Sequence, residues 1–442
     1  MITARAFAGK HYAVYGLARS GLATVEALLA SGARVTAWDR DDEARERAVD
    51  RVMELSHALD RAELKLLDLD TAELSQFTSL VVTPGLPLNR HPIAQRARDA
   101  GVEIIGDIEL FARARPELPP HKVVGITGTN GKSTTTALVH HILQTAGVPT
   151  TMGGNIGLPI LSQDPLPKGG VYVLELSSYQ IDLTQSLDCD VAVLLNITPD
   201  HLDRYESFEA YRDSKLRLFE MQSHDHLGVV GTAELKPVLF DGASGPGQWS
   251  FPSDEGINPY FQGVSPALQG PHNIQNAWAA FSACFELFIG LTSDQILEAA
   301  KTYPGLPHRM ERIRDRDGAL FVNDSKATNA EAAAPALAAY PRIRWIVGGQ
   351  AKAETLGDTD KHLDHVVQAY TIGEAGPMFA RLLRDKGVTV TECETLENAV
   401  NHAARDSLSG DVVLLSPACA SFDQFRDFEQ RGDRFRELVG AL

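Results

Sequence analysis

The segment Gly125-Ile-Thr-Gly-Thr-Asn-Gly-Lys-Ser-Thr-Thr-Thr136 sets glycines, a lysine and hydroxyls in the order that a phosphate-cradling loop requires. In such a loop glycines let successive backbone N–H groups turn inward, the following helix adds partial positive charge, and anionic phosphate oxygens fill the cup. Gly128, Thr129, Asn130, Gly131 and Thr134 would line it, Lys132 would reach the terminal phosphates, and the Ser133 hydroxyl would be a hard oxygen ligand for magnesium. ATP or a similar triphosphate is the expected ligand. The usual pattern G-x-x-x-x-G-K-[ST] is not met, because Ile126 stands five positions before Gly131, so the loop is a variant. A Gly-Thr-rich turn with no ligand is the plain alternative. Against it, the apolar run Lys122–Ile126 precedes the loop and the apolar-periodic segment Ala137–Leu143 follows, which is the strand, turn and helix start that the motif needs.

Three further residues have the right chemistry for the same place. Glu175 ends the apolar run Val171-Tyr-Val-Leu-Glu175, where an unpartnered carboxylate would be costly; it is either a magnesium ligand or half of a strand-edge salt bridge. His201, in Thr198-Pro-Asp-His-Leu-Asp-Arg204, follows another apolar run and has an imidazole able to ligate a second metal, although a lone histidine is commonly unremarkable. Lys215 lies on the apolar stripe of a helix that Ser207 can cap, with Phe208, Tyr211, Leu218 and Phe219 on the same face. From the pattern alone its ammonium either snorkels to water or is desolvated. A desolvated amine has a lowered pKa and can add carbon dioxide, giving a carbamate that ligates magnesium through oxygen.

The elements that must hold these residues form three α/β units. The first opens with a strand at His11–Tyr15, a Gly16-Leu-Ala-Arg-Ser-Gly21 turn, a helix through Leu29, a second strand Arg34–Trp38 and then Asp39. Ala18 stands where a dinucleotide-binding turn has its second glycine, so a diphosphate ligand other than a nicotinamide dinucleotide is favoured over that cofactor and over a purely structural turn. A strand at Ser79–Thr83 ends at Pro84-Gly85, another loop at a carboxyl edge. The Pro cluster Arg115–Pro120 marks a linker, and Asp190–Thr198 is a second buried strand of the central unit. After Tyr303-Pro-Gly-Leu-Pro-His308, strands at Ala319–Asn323, Ile343–Val347 and Val412–Ser416 alternate with helical segments and predict a third, parallel sheet. The expected domains are 1–114, 115–304 and 305–442: Rossmann-like, a central P-loop mononucleotide-binding domain, and Rossmann-like again.

At 442 residues, with 44% hydrophobic and 22% charged content, the chain has the composition of a multidomain globular enzyme. A net charge of -17 disfavours nucleic acid and anionic membrane as partners, so an anionic substrate must meet local basic residues. Cys189, Cys284, Cys393 and Cys419 form no C-x-x-C pair, which fits a reducing cytoplasm. No basic segment followed by an apolar run opens the chain, and no apolar stretch is long enough to span a bilayer, so a cytoplasmic protein is expected.

The blocks Gly128–Ser133, Gly154-Asn-Ile-Gly157, Leu174–Ser178, Asn196–Asp203, His272-Asn-Ile-Gln-Asn276, Gly305–Arg309, Asn323–Asn329 and Ser416–Phe425 stand in the order seen in the Mur ligases, and the chain resembles that family over nearly its whole length. With Phe428-Glu-Gln-Arg-Gly432, the last block is similar to the branch that adds D-glutamate. The family loop is G-T-x-G-K-[ST], the variant found here. The resemblance implies an ATP-dependent amide ligase that makes an acyl phosphate on UDP-N-acetylmuramoyl-L-alanine, attaches glutamate, uses a pair of magnesium ions, and serves peptidoglycan precursor synthesis as a monomer. It implies that Lys132, Glu175, His201, Lys215 and Arg309 are catalytic, with Lys215 carbamoylated and with Ser133, Glu175, His201 and Lys215 on the metals. It further places adenine on Asn276, ribose on Asp324, and His308 and Arg309 over the phosphates, which requires domain closure.

For the UDP substrate the resemblance points to Arg19, Ser20, Asp39, Arg40, Gly85, Asn155 and Ser177, and for glutamate to His201, Lys326, Thr328, Lys352, Ser421, Phe422 and Phe428. Two lysines facing two carboxylates make electrostatic sense. The Lys352 context, Gly348-Gly-Gln-Ala-Lys-Ala353, departs from the Asp-Lys-Gly ending common in these ligases. Other readings are a sibling specificity, including L-glutamate, a non-catalytic nucleotide-gated UDP-sugar-binding protein, and a nucleotide-sugar oxidoreductase.

Overall fold

Short β-branched and aliphatic runs, buried on both faces, build three sheets that are parallel apart from one edge strand. The computed structural model describes residues 1–56, 63–200, 203–236, 245–252, 261, 264–265, 267–268, 270–287 and 289–442. The chain divides into two compact units, Met1–Gly256 with Trp278–Ala299, and Ile257–Ala277 with Ala300–Leu442.

The first unit holds two sheets. One comprises β1 (His11–Tyr15), β2 (Arg34–Trp38), β3 (Glu63–Leu66), β4 (Ser79–Val82) and β5 (Glu103–Ile105), in the order β3-β2-β1-β4-β5. Around it run α1 (Arg19–Ala30), α2 (Asp42–Ser56), α3 (Pro92–Asp99) and α4 (Asp107–Ala114). The strand order reverses between β1 and β4, and the crevice beyond their carboxyl ends is where such sheets bind ligands.

The other sheet comprises β6 (His121–Thr127), β7 (Thr150–Gly154), β8 (Gly170–Glu175), β9 (Val191–Leu194), β10 (Leu227–Val230) and β11 (Gln248–Ser250), in the order β11-β10-β9-β6-β8-β7. Its helices include α5 (Lys132–Thr145), α6 (Ser178–Asp182) and α7 (Phe208–Glu220). Strand β9 stops at Leu194, short of the expected Thr198, because the backbone beyond it turns to hydrogen-bond the phosphate loop: Thr129 N donates to Asn196 O at 2.9 Å.

The two sheets share one apolar core, in which Phe111 of α4 meets the ring of Tyr172 on β8 at 5.1 Å. A polar tie reinforces it. Glu109, 1% exposed, accepts from Gln185 N (2.7 Å), Ser186 N (2.9 Å), Ser186 Oγ (2.9 Å) and Arg113 Nε (2.8 Å). Removing the carboxylate leaves four donors short of an acceptor, so Glu109→Ala is expected to lower unfolding stability by about 3 kcal/mol. A denaturant melt checks this; an unchanged midpoint would show that the tie is redundant.

The second unit is built on β12 (Glu311–Arg316), β13 (Ala319–Asn323), β14 (Ile343–Gly348), β15 (Val366–Ile372), β16 (Val390–Glu394) and β17 (Val412–Leu415), in the order β12-β13-β17-β14-β15-β16. The parallel arrangement expected here holds except at one edge, where β12 pairs antiparallel with β13. The cause is the two-residue turn Asp317-Gly318, whose φ angles of 54° and 81° fit the Asp-Gly hairpin turn that reverses a strand tightly. Among the described residues no helix is long and apolar enough to cross a membrane.

Candidate functional site

In the first unit the phosphate loop leaves β6 with Gly128 at φ 150° and enters α5 through Gly131 at φ 86°, a left-handed conformation that a side chain would strain. The loop is clamped from the chain that follows β9. Asn130 N donates to Asn196 Oδ1 at 2.9 Å, Asn196 Nδ2 donates to Asn130 O at 3.1 Å, and Thr198 N donates to Thr129 Oγ1 at 3.0 Å. The Tyr211 hydroxyl of α7 lies 3.2 Å from the same Oγ1. In the sequence Asn196 stands out only as part of the Asn196–Asp203 block; its signal is a carboxamide just after a buried strand, level with a glycine loop.

Lys132 Nζ folds onto its own loop, donating to Gly128 O at 2.9 Å and Thr129 O at 2.8 Å. Ser133 is buried and Thr134 half-buried in the first turn of α5. Lys215 points to the same carbonyl: its Nζ donates to Gly128 O at 3.0 Å and sits 4.6 Å from the centre of the Tyr211 ring. Of the two possibilities for that lysine, snorkelling does not occur. The residue is 1% exposed, because Ser207 caps α7 as anticipated, through a 3.1 Å bond from Ala210 N, and turns the apolar stripe inward. Burial, and secondarily the charge of Lys132, lowers its pKa from 10.5 to about 7.

Glu175 is 2% exposed at the end of β8. Its Oε1 accepts from Asn155 Nδ2 at 2.9 Å, whereas Oε2 is buried with no hydrogen-bond partner, so the salt bridge considered for it is absent among the described residues. A buried, half-satisfied carboxylate beside a phosphate loop is suited to a hard cation. Among the described residues no three His, Cys, Asp or Glu side chains gather as a metal cluster. His201 lies outside the described residues.

The residues expected to hold UDP sit around the β1–β4 crevice and the Gly154–Gly157 turn. A Cβ at Gly16 would run into the Thr83 hydroxyl and one at Gly21 into the Gly16 carbonyl, so the Ala18 turn packs tightly on the strand end. Asp39 Oδ2 accepts from Leu17 N at 2.6 Å and thereby fixes the turn. Arg40 reaches Asp70 Oδ2 at 3.3 Å and His91 Nε2 at 3.0 Å, partners that the sequence did not single out because each follows a different strand. Arg19 Nη2 donates to Gly157 O at 2.8 Å, and Ser177 caps α6, its Oγ accepting from Gln180 N at 3.3 Å. Ser20, Thr83 and Asp107 line a small cavity, and Gly85 is exposed.

In the second unit, loops at the carboxyl edge of the sheet gather Asp324, Lys326, His308, Ser421 and Phe428. Asp324 is buried, accepting from Met310 N at 3.2 Å and Ser416 Oγ at 2.8 Å, and burial pushes its pKa up to about 7 against those two hydrogen bonds and, more weakly, the charge of Arg309. Lys326 Nζ stands 3.8 Å above the Phe428 ring, which meets His308 edge-on at 6.2 Å. His308 has φ 60°, and burial, followed by Arg436, depresses its pKa.

Buried Arg431 joins these loops, donating to Ser325 O at 2.9 Å, Ser325 Oγ at 3.0 Å and Cys419 O at 3.0 Å. Ser421 is buried and Thr328 half-buried, while Phe422 is 69% exposed and Lys352 exposed. Asn276, also assigned to this unit, is buried, its Nδ2 donating to Asn273 Oδ1 at 3.0 Å.

Comparison with known proteins supplies the family. Models described as "Mur ligase MurD-like, N-terminal domain", "Mur ligase middle domain" and "Mur ligase, glutamate ligase domain" match residues 10–106, 126–237 and 308–419. A curated UDP-N-acetylmuramoylalanine--D-glutamate ligase from Novosphingobium aromaticivorans is 56% identical over 100% of this chain and 97% of its own length. One of the same name from Zymomonas mobilis is 54% identical over 100% of both chains. Among solved structures, UDP-N-acetylmuramate-alanine ligase MurC from Thermotoga maritima aligns with a TM-score of 0.58 at 18% identity over 98% of this chain and 99% of that one. FolC from E. coli, solved with DHPP and ADP, aligns with a TM-score of 0.54 at 19% identity over 76% and 93%. These two structures speak to fold alone.

Proposed function

The chain belongs to the Mur ligase family, and from that premise we propose that it joins D-glutamate to UDP-N-acetylmuramoyl-L-alanine at the expense of ATP, releasing ADP and phosphate, in peptidoglycan precursor synthesis. Within the molecule, the supporting observation is the Lys215 amine, buried and 3.0 Å from the Gly128 carbonyl of the phosphate loop, with no ion-pair carboxylate among the described residues. A protein that merely bound nucleotide would have no use for so costly a group.

The backbone amides around Asn130 and Gly131, with Lys132, hold the triphosphate, and Lys132 exchanges its loop carbonyls for phosphate oxygens. The acceptor carboxylate attacks the γ-phosphorus as the bond to the β-phosphate oxygen breaks. The acyl phosphate so formed has a far better leaving group than hydroxide. The glutamate amine then attacks the acyl carbon, its nitrogen gives up a proton as phosphate departs, and an amide remains. Lys326, with Thr328, Lys352, Ser421, Phe422 and Phe428, recognises glutamate, and Lys326 opposes one carboxylate. Asn155 and Ser177 orient the muramoyl peptide, Arg19, Ser20, Asp39, Arg40 and Gly85 hold UDP, and Asn276, His308, Arg309 and Asp324 serve the nucleotide.

Ser133, Glu175, His201 and Lys215 would hold magnesium; the unpaired Oε2 of Glu175 fits that assignment. When bound, magnesium supplies neutralisation of the charge that accumulates as carboxylate and triphosphate approach. For its part in that set, Lys215 adds its neutral amine to CO2 and loses a proton, becoming a carbamate. The enzyme acts on small molecules in the cytoplasm as a monomer.

The deciding assay is phosphate release that depends jointly on UDP-N-acetylmuramoyl-L-alanine and D-glutamate, run beside L-glutamate. Folded protein that binds ATP yet releases no phosphate would favour the nucleotide-gated binding reading; turnover with L-glutamate alone would reassign the specificity.

A further inference from the structure

Arg204 makes contacts that no expected role accounts for. Its guanidinium donates to three carbonyls of one loop, Pro84 O (3.3 Å), Gly85 O (3.2 Å) and Leu86 O (3.0 Å), directly after β4 in the first sheet. On its other side it stacks on the Tyr179 ring at 4.3 Å, and Tyr179 lies nearly parallel to Tyr205 with centroids 6.0 Å apart. The neighbouring carbonyl of Asp203 receives Asn89 Nδ2 at 3.2 Å and Arg90 Nη2 at 2.8 Å from the same loop. Segments more than a hundred residues apart are thus joined by bonds that read no side chain on the 84–86 loop, only its backbone path. A planar five-donor fork is the side chain suited to such a task.

The contact chain continues toward the phosphate loop. Tyr205 OH donates to Asp182 Oδ2 at 2.8 Å and lies 3.3 Å from Ser214 Oγ, the residue before Lys215. Ser214 Oγ in turn donates to Ser178 O at 3.2 Å, beside Ser177. The 84–86 loop borders the crevice that takes UDP, and Lys215 borders the phosphates; Arg204 and Tyr205 connect the two through packed, hydrogen-bonded groups.

We propose that Arg204 is a positioning residue that couples the acceptor-binding loop 84–86 to the Lys215 side of the metal and phosphate site, so that acceptor binding and metal use depend on each other. This rests on the ligase reading above. Coupling of this kind is reciprocal: whatever tightens the loop on the acceptor also tightens the magnesium side.

The test compares wild type, Arg204→Ala and Arg204→Lys, measuring the KM for UDP-N-acetylmuramoyl-L-alanine, the Mg2+ concentration for half-maximal rate, the Kd for MgATP without acceptor, and the melting temperature. Loss of charge-assisted bonds predicts that both variants raise the acceptor KM about tenfold or more and the Mg2+ requirement several-fold, while the MgATP Kd stays within about twofold. Lysine should not rescue, since it cannot fork across three carbonyls. Acceptor KM and Mg2+ requirement both near wild type would overturn the proposal. A uniform loss of MgATP and acceptor affinity with a lowered melting temperature would also overturn it, showing a structural role. Should Arg204→Ala not fold, the pair Asn89→Ala with Arg90→Ala cuts the parallel bonds to Asp203 and must shift the acceptor KM and Mg2+ requirement in the same direction. Wild-type protein inactive on this acceptor would sink the ligase reading instead, an outcome separable from the others.

Discussion

On the proposed role of Lys215 as a carbamate ligand, its replacement by alanine is expected to cut ligation by about 10³-fold or more, because the change would remove a ligand where transition-state charge is greatest. Fold and nucleotide binding should survive: the side chain ends against a loop carbonyl and a tyrosine ring, with no ion pair among the described residues. Short carboxylic acids such as acetate should restore part of the rate by entering the space vacated and presenting oxygens to magnesium. Steady-state rates with and without acetate and bicarbonate check this; full activity in the alanine variant would remove Lys215 from the chemistry.

The pH dependence has a defined sign. The folded-state pKa of Lys215 is depressed from 10.5 to about 7. Between those values the unfolded chain holds a proton that the folded protein has released, so stability rises with pH across that window. Below about pH 7 the whole cost of burying the charged ammonium is present. The reactive free amine follows the same direction, so carbamoylation of wild-type Lys215 at a fixed CO2 concentration should be slow below that pH and faster above it.

Glu175→Gln is expected to lower kcat/KM by about 10²-fold or more and to raise the Mg2+ requirement, since a neutral amide is a poor magnesium ligand. The same change should leave the magnesium-free protein as stable as before, or more stable by about 1 kcal/mol, because it removes a buried charge of which one oxygen is unpaired. Glutamine can keep the bond from Asn155. Paired measurements, rate against Mg2+ and a denaturant melt without metal, distinguish this from general damage; wild-type turnover at wild-type Mg2+ would exclude Glu175 from the metal set.

Much of the framework that carries this site is legible in the sequence, for identifiable reasons. The strands His11–Tyr15, Arg34–Trp38 and Ala319–Asn323 coincide with β1, β2 and β13 because continuous apolar runs bounded by glycine or polar residues leave little choice of element. The stripe around Lys215 put the residue on an apolar face but left snorkelling and burial both open; the structure has it buried. What faced the amine did not show, since the Gly128 carbonyl is 87 positions away in sequence and only tertiary packing joins them. Likewise Asn196 on the phosphate loop, and Asp70 and His91 around Arg40, come from loops after separate strands.

The short strands β3, β5 and β11 carry too few residues for a periodic signal, and β12, five of whose six residues are charged, resembles a solvated segment until Asp317-Gly318 is recognised as a hairpin turn. Expected roles for Lys352 and Phe422 rest on the family resemblance and glutamate chemistry; both side chains are exposed.

The charged border strand β12 bears on strand pairing with other chains. A sheet margin offers unsatisfied amides and carbonyls on which a stray chain can grow, the first step toward insoluble cross-strand stacks. By folding Glu-Arg-Ile-Arg-Asp-Arg back over β13, the molecule places both signs of charge along that margin, with Arg436 bound to Glu311 at 2.8 Å and Arg314 bound to Val439 O at 3.2 Å. An incoming strand would have to strip water from those groups without replacing it, which disfavours pairing along that margin.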